Sequence, residues 1–368
     1  MRGIVLILSN NIYGLYVFRK ELIQTVISKG FETYLSIPDI DNDKVGYFEE
    51  IGCHILPTTF NRRGMNPLAD IGLMLTYRKM IRQLKPMVVL TYTIKPNIYG
   101  GMAARLCHVP QLANVTGLGD AVENGGWLQK LTIALYKIGI GNAKRVFFQN
   151  ESNRSFCIKK GIANNSSVLL PGSGVNLLNH TYQDYPADEG RIMFLFIGRM
   201  LKDKGIEEYF ETAKKIKVKY PNTEFQILGS VEGPYQSQLD EFVKAGVINH
   251  LGTTSDVRPF IGAVECTIMP SYHEGMSNVN LESAANGRPV ITTNVPGCKE
   301  TVDDGVTGYI IEAKNAASLI DAVEKFIKLP YEKKILMGQE GRKKVEREFD
   351  RQIIVDAYLK EIEKITNV

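Results

Sequence analysis

The chain has 368 residues, 44% of them hydrophobic and 23% charged, which is enough to bury two cores and carries no compositional mark of disorder or of a fibre. A formal net charge of +4 hides an asymmetry, since residues 1–180 hold 20 Lys and Arg against 11 Asp and Glu whereas residues 181–368 hold 24 against 29. Five widely spaced cysteines (Cys53, Cys107, Cys157, Cys266, Cys298), with no CxxC pair, indicate neither a disulfide framework nor a zinc site, and a reducing cytoplasm is the simplest setting.

The N-terminus "MRGIVLILSNN" has one basic residue and an apolar run of only Ile4 to Leu8. That is too short for a signal-peptide core or a membrane span, so it reads as a first buried strand. Further strands are predicted at 33–37, 54–60, 88–93, 111–116, 145–150 and 167–172, with helical periodicity between them, clearest from Pro67 to Leu84. After the acidic "YQDYPADEG" (182–190) the pattern restarts, with strands at 192–198, 224–229, 248–252, 266–270, 289–293 and 308–312. Nearly continuous apolar strands alternating with helices imply parallel sheets covered on both faces. The expected fold is therefore α/β, two Rossmann-like domains facing each other across a cleft. The boundaries read as 1–175, a linker at 176–190, 191–350, and a last helix at 351–368 that is expected to cross back to the first domain. The helices 331–349 and 351–366, rich in i,i+4 charge pairs, read as outer cladding.

The basic excess lies mainly in residues 51–180, with 15 basic and 4 acidic side chains. It suits an anionic partner, whether a phosphate-bearing substrate, an anionic lipid surface or nucleic acid, and equally a solvated basic face. Two amphipathic segments favour lipid: "NPLADIGLMLTYRKMIRQLKP", ending in Arg78, Lys79, Arg82 and Lys85, and "WLQKLTIALYKIGIGNAKR", which mixes Trp127, Leu131, Ile133 and Leu135 with four cations. Ordinary packing on a sheet remains the alternative for both.

In open α/β sheets ligands bind where strands end and helices begin. At the first such turn of the second half, "FIGRMLKDKGIEEYF", Gly198 permits close backbone approach while Arg199 and Lys204 bring two cations to one strand end. At a later turn, "SYHEGMSNVNLES" predicts a helix from about Asn278 through Ala285, capped by Ser277 or Asn278. Its uncovered N–H groups and dipole form an anion site, and Gly275 leaves room for a phosphate. Glu282 is placed to accept hydrogen bonds from a vicinal diol such as ribose. Were the whole stretch helical, Glu274 and Glu282 would lie about 12 Å apart, the order of the ribose-to-hexose distance in a nucleotide-diphosphate sugar. "DND" (41–43) reads as a turn, so no metal site is expected. The first turn of the chain, with Gly14, lacks G-x-G-x-x-G, which weighs against a dinucleotide cofactor.

"HEGMSNVNLE" resembles the E-x7-E signature of retaining GT-B glycosyltransferases of family 4, and "GRMLKDKG" resembles their phosphate-binding turn. "LTYTIKPNIYGGMAARLCHVPQLANVTGLGD" (90–120) is similar to segments of relatives that build bacterial surface polysaccharides. The resemblance implies that Arg199 and Lys204 hold a donor diphosphate, Glu282 the ribose and Glu274 the transferred sugar. It further implies that Gly275, Met276, Ser277 and Asn278 complete the phosphate site, and that Gly229 with Leu251 to Thr253 holds the base. The first domain becomes the acceptor side, with Gly14, Lys95, Asn97, Thr116 and Gly117 toward the cleft. Thr116 or Gly117 stands where many relatives have a histidine, so that histidine's role is not carried over, and Asn280 stands where an aliphatic residue is usual. The implied activity is metal-independent, cofactor-free transfer from a nucleotide-sugar, most simply a UDP-sugar, to a saccharide or lipid-linked oligosaccharide, with no nucleic acid. The implied location is cytoplasmic, with contact at the inner membrane face left open. A nucleotide-sugar epimerase on the same fold, or a non-catalytic nucleotide-sugar-binding partner of a transferase, are the alternatives. Whether Glu274 is a nucleophile or positions the sugar also stays open.

Overall fold

A computed structural model describes residues 2–38, 42–60, 66–118, 126–163 and 166–366. Asp41 of the DND run, with Gly119 and Asp120 of the VTGLGD segment, lies outside the described residues. The chain forms two compact units, Met1–Ser173 with Gln352–Val368, and Gly174–Arg351.

Unit 1 is built on a parallel seven-stranded sheet of order β3-β2-β1-β4-β5-β6-β7. Its strands are β1 (Ile4–Leu8), β2 (Glu32–Ile37), β3 (Cys53–Pro57), β4 (Val88–Tyr92), β5 (Gln111–Val115), β6 (Arg145–Phe148) and β7 (Ser167–Leu169). The strand order reverses between β1 and β4. One face carries α1 (Ile12–Ser28) and α2 (Asn42–Glu50); α3 (Pro67–Leu84), α4 (Gly101–Leu106), α5 (Gly126–Ile140) and α6 (Glu151–Lys159) complete the unit's crossovers. α3 starts at Asn66, whose side chain accepts from the Leu68 and Ala69 N–H groups, with Pro67 in the first turn.

Unit 2 has a parallel six-stranded sheet of order β10-β9-β8-β11-β12-β13. Its strands are β8 (Ile192–Ile197), β9 (Thr223–Leu228), β10 (Ile248–His250), β11 (Cys266–Met269), β12 (Val290–Thr293) and β13 (Gly308–Ile311). Its helices are α7 (Ile206–Lys219), α8 (Gln236–Lys244), α9 (Arg258–Gly262), α10 (Asn278–Ala285), α11 (Ala316–Ile327) and α12 (Tyr331–Glu348). Here the order reverses between β8 and β11, so the turns that follow these two strands flank the switch point where ligands of such sheets bind.

The last helix, α13 (Arg351–Thr366), corrects one expectation. Asp356, Lys360 and Lys364 are exposed, but Ile354, Val355, Tyr358, Leu359 and Ile362 are buried in the unit 1 core beside β1, β4 and α1. Burying five such side chains contributes on the order of 10 kcal/mol before entropy is counted, so α13 is part of the core rather than cladding. The α12 helix likewise buries Met337, Gly338, Gly341 and Val345.

Candidate active site

In unit 2, β8 ends at Ile197 and is followed by Gly198, Arg199, a helical turn at Lys202–Lys204 and Gly205, which opens α7. Gly205 adopts φ 74°, and a Cβ there would sit 2.1 Å from the Pro270 carbonyl oxygen. Only glycine lets this turn press against the one that follows β11, and the Tyr272 N–H donates to the Asp203 carbonyl at 2.8 Å to hold the two together. The consequence is chemical: Lys204 Nζ donates to Glu274 Oε1 at 2.8 Å, with both side chains 17% exposed. The Ser271 hydroxyl donates to the same carboxylate oxygen at 2.9 Å.

The stretch 271–277 is not helical. The helix begins only at Asn278, where the Ser277 side chain caps it by accepting from the Asn280 N–H. The 12 Å helical spacing between Glu274 and Glu282 therefore does not apply, because Glu274 sits in a loop bent around a second support. That support is Gly297, at φ 82°, where a Cβ would meet the Glu274 carbonyl oxygen at 2.5 Å. Its carbonyl accepts from the Ser277 N–H at 2.7 Å. Thr293 Oγ1 adds a donor to the Ser271 carbonyl at 2.6 Å. Sequence reasoning missed Ser271, Thr293 and Gly297; the PG dipeptide at 296–297 was the available signal for a tight turn. Cys298 lies beside Glu274, but burial pushes its thiol up to about 12, so it stays protonated and is no nucleophile.

Around this pair the other predicted donor residues fall into three groups. Met276 and Ser277 are buried while Gly275 and Asn278 are half-buried, and the Asn278 Oδ1 is enclosed without a hydrogen-bond partner. The first N–H groups of α10 lack intrahelical partners and carry the positive end of the dipole. Gly198 and Gly229 close β8 and β9. The Gly229 N–H donates to the Gly252 carbonyl at 2.7 Å, which brings the Leu251 to Thr253 segment beside it, and His250 Nε2 lies 2.9 Å from the Gly229 oxygen. Arg199 is exposed and donates to Glu232 at 3.2 Å. Such a surface pair is worth about 0–1 kcal/mol, so it holds the guanidinium only weakly.

Asn280 departs from the aliphatic residue usual there, yet it is fully buried and its amide donates to Thr292 Oγ1 and Thr301 Oγ1, each at 3.0 Å. The hydroxyls of β12 and of the turn after it take both donors of its amide, while its Oδ1 is buried without a partner among the described residues.

Burial pushes the Glu282 carboxyl up to about 7, with Arg351 pulling the other way. A carboxyl raised above its ordinary value of 4.5 keeps a proton in the fold that the unfolded chain has released. Its contribution to stability therefore falls as pH rises from about 4.5 to 7. If the carboxylate form accepts from ribose, UDP affinity should rise across neutrality, by about tenfold from pH 6 to 8. Titration calorimetry of wild type against Glu282→Gln checks this, because the phosphate's own ionisation affects both proteins and only the wild type should show the added dependence.

The first half fits its predicted roles less well. Asn97 is buried, accepting from Thr91 Oγ1 at 2.7 Å and donating to the Asn114 carbonyl at 2.8 Å. With Gln111, which donates to Thr91 Oγ1 at 2.9 Å, it stitches β4 to β5, and Asn114 carries the chain of bonds on to the Tyr358 hydroxyl. Lys95 Nζ is 2.7 Å from Asp70 Oδ1, and Tyr99 donates to the other oxygen of that carboxylate. Both side chains are thus committed to the fold rather than open to an acceptor, because a buried polar group must find its partners internally. Gly14 lies in the first turn of α1, with nothing within 4 Å of where a Cβ would be, and Thr116 and Gly117 are half-buried after β5. Sequence reasoning missed Thr93 beside them. It follows β4 at the unit 1 switch point, at φ 71° with its hydroxyl buried and unpartnered, a conformation costly for a β-branched residue and one that clusters at functional sites.

Residues 181–344 match the family profile "Glycosyl transferases group 1" and residues 5–150 match "Glycosyl transferase 4-like". The chain is a glycosyltransferase, with a 4-like domain followed by a group 1 domain. Among its relatives is the N,N'-diacetylbacillosaminyl-diphospho-undecaprenol alpha-1,3-N-acetylgalactosaminyltransferase of Campylobacter jejuni, 26% identical over 96% of each chain. Another is the capsular polysaccharide biosynthesis glycosyltransferase CapM of Staphylococcus aureus, 27% identical over 85% of each. The HepE protein of Anabaena, solved with UDP and glucose, superposes with a TM-score of 0.79 over 98% of this chain and 100% of that one at 14% identity. At that identity the likeness establishes the fold of the glycosyltransferase, which is GT-B, and both its units are the parallel-sheet Rossmann-like domains expected.

Proposed function

We propose that this glycosyltransferase is a metal-independent, retaining enzyme that moves a hexose or N-acetylhexosamine from a UDP-sugar to a saccharide carried on a polyprenyl diphosphate, in assembly of a bacterial surface polysaccharide. The observation that carries the reading is the Lys204–Glu274 pair, held at the unit 2 switch point beside the start of α10. The bond that breaks joins the anomeric carbon to a phosphate oxygen. The electron pair leaves with the diphosphate, and the sugar becomes cationic until an acceptor hydroxyl bonds to the same carbon and gives up its proton to the departing diphosphate. Lys204, Arg199 and the α10 N-terminus bring positive charge to where the leaving group turns negative. Glu274 answers the positive charge on the sugar and accepts from its hydroxyls, Glu282 accepts from the ribose, and Gly229 with Leu251 to Thr253 receives the base. That UDP occupies HepE and that a diphospho-undecaprenol saccharide is named for the Campylobacter relative support the donor and acceptor classes. The test is transfer from a panel of UDP-, GDP-, ADP- and TDP-sugars to undecaprenyl-diphosphate-linked saccharides, with excess chelator. We expect a UDP-sugar to be used and the product to keep the donor's anomeric configuration; an inverted product, or activity lost with chelator and restored by a divalent ion, would overturn the mechanism.

The same reading extends to location. No helix among the described residues is long and apolar enough to cross a membrane. On α3, however, Leu68, Ile71 and Leu75 form an exposed stripe, and on α5 Trp127 is 74% exposed with Leu131 and Ile138. Both helices pack beside α4. Arg82, Lys85, Lys130 and Lys137 are exposed on them and have no ion pair among the described residues. Apolar residues interleaved with cations suit an anionic bilayer surface. Co-sedimentation with phosphatidylglycerol vesicles should fall with salt and fall further in Trp127→Ser/Leu131→Ser; equal recovery with neutral vesicles would count against it.

A further inference from the structure

A cavity of about 750 Å³ opens in unit 2 beside the Lys202–Lys204 turn, and none of Arg199, Lys204, Glu274 and Glu282 lines it. Its walls are the first turn of α7, the segment leading into α8, Tyr272 and Lys314. Two phenols are fixed by carboxylates: Tyr235 donates to Glu207 at 3.0 Å, and Tyr272 donates to both oxygens of Glu208 at 2.8 and 2.9 Å. Lys202 lies 3.3 Å from Glu207, and the Lys314 ammonium sits 5.1 Å from the centre of the Tyr272 ring. Asp203 completes the lining.

This inventory selects a class of ligand. Three carboxylates against two ammonium groups disfavour a phosphate or any other anion. Glu207 and Glu208 are turned to different tyrosines rather than converging on a point, which disfavours a bound cation. Acceptors, donors and aromatic surface intermixed in a space of this size suit an uncharged, hydroxyl-rich molecule. Carboxylates and ammonium groups meet its hydroxyls, and its C–H faces lie on the tyrosine ring. We propose that this cavity binds a short neutral oligosaccharide at a site separate from the donor grip. The inference stands on the cavity's own side chains and not on the donor assignment. The Asp203 carbonyl and the Tyr272 N–H belong to residues of its wall and form the bond that joins the two active-site turns, so the two sites adjoin through these turns.

Saturation-transfer NMR on the full chain, with maltotriose and chitotriose as probes, tests it. We expect signal from at least one sugar, unchanged by saturating UDP, and about tenfold weaker binding in Glu208→Gln. Lys314→Ala, an exposed substitution, should weaken binding severalfold without shifting the melting temperature, and it serves if the first variant folds poorly. No transfer to either sugar, displacement by UDP, or wild-type affinity in Lys314→Ala would each overturn the proposal.

Discussion

Lys204→Ala is expected to lower kcat/KM for sugar transfer by about 10²- to 10³-fold, the effect of removing one preorganised donor from a site where negative charge develops. The loss should exceed that of Arg199→Ala, because Lys204 is half-buried and held 2.8 Å from Glu274, whereas Arg199 is exposed and must first leave Glu232. Since Lys204 and Glu274 share one contact, the double variant Lys204→Ala/Glu274→Gln should be far less impaired than the product of the single effects. Glu274→Gln carries a second question, for the amide can hydrogen-bond a sugar hydroxyl but cannot form a covalent bond to the anomeric carbon. Retention of a few per cent of activity would assign positioning, and complete loss with donor affinity intact would assign nucleophilic attack. Steady-state kinetics with a lipid-linked acceptor decides; a Lys204→Ala enzyme within threefold of wild type would remove this residue from the mechanism.

Arg288→Met should destabilise unit 2 by about 3–5 kcal/mol, as expected when a buried hydrogen-bonded charge is removed and its partners are left unpaired. Arg288 is fully buried and donates to five backbone carbonyls: Gln183, Asn286 and Gly287 through one terminal nitrogen, and Asp184 and Gly262, both at 2.7 Å, through the other. The Tyr185 ring lies 5.5 Å from its guanidinium carbon. Burial lowers its pKa from the usual arginine value, yet a group that starts so high stays charged. The change should bring the melting temperature of unit 2 down by roughly 10 °C, with Arg288→Lys intermediate because an ammonium cannot span the same carbonyls. Calorimetry showing a shift under 2 °C for the Met variant would mean that water replaces the guanidinium.

The strand-to-helix turns were readable because their chemistry is local. All thirteen predicted strands form, α3 runs over Pro67–Leu84, and Ser277 caps α10, which spans Asn278–Ala285. A strand's apolar run and a helix's cap are properties of neighbouring residues, so they survive without knowledge of the fold. Lys95 and Asn97 show where this ends. Their position after β4 was inferred correctly, but Asp70 and Asn114 claim the two side chains, and neither partner is within fifteen residues in sequence.

By itself the sequence determined the elements, their parallel order in two α/β units, and which turns carry the Lys, Arg and Glu of the proposed donor site. Only the tertiary structure decided that Lys204 and Glu274 meet, seventy residues apart, through the close approach at Gly205. It also decided that Gly297 braces the Glu274 loop, that α13 is core, and that Arg288 is buried. In each case the deciding quantity is what a side chain touches across the fold, and local periodicity and capping contain no term for it.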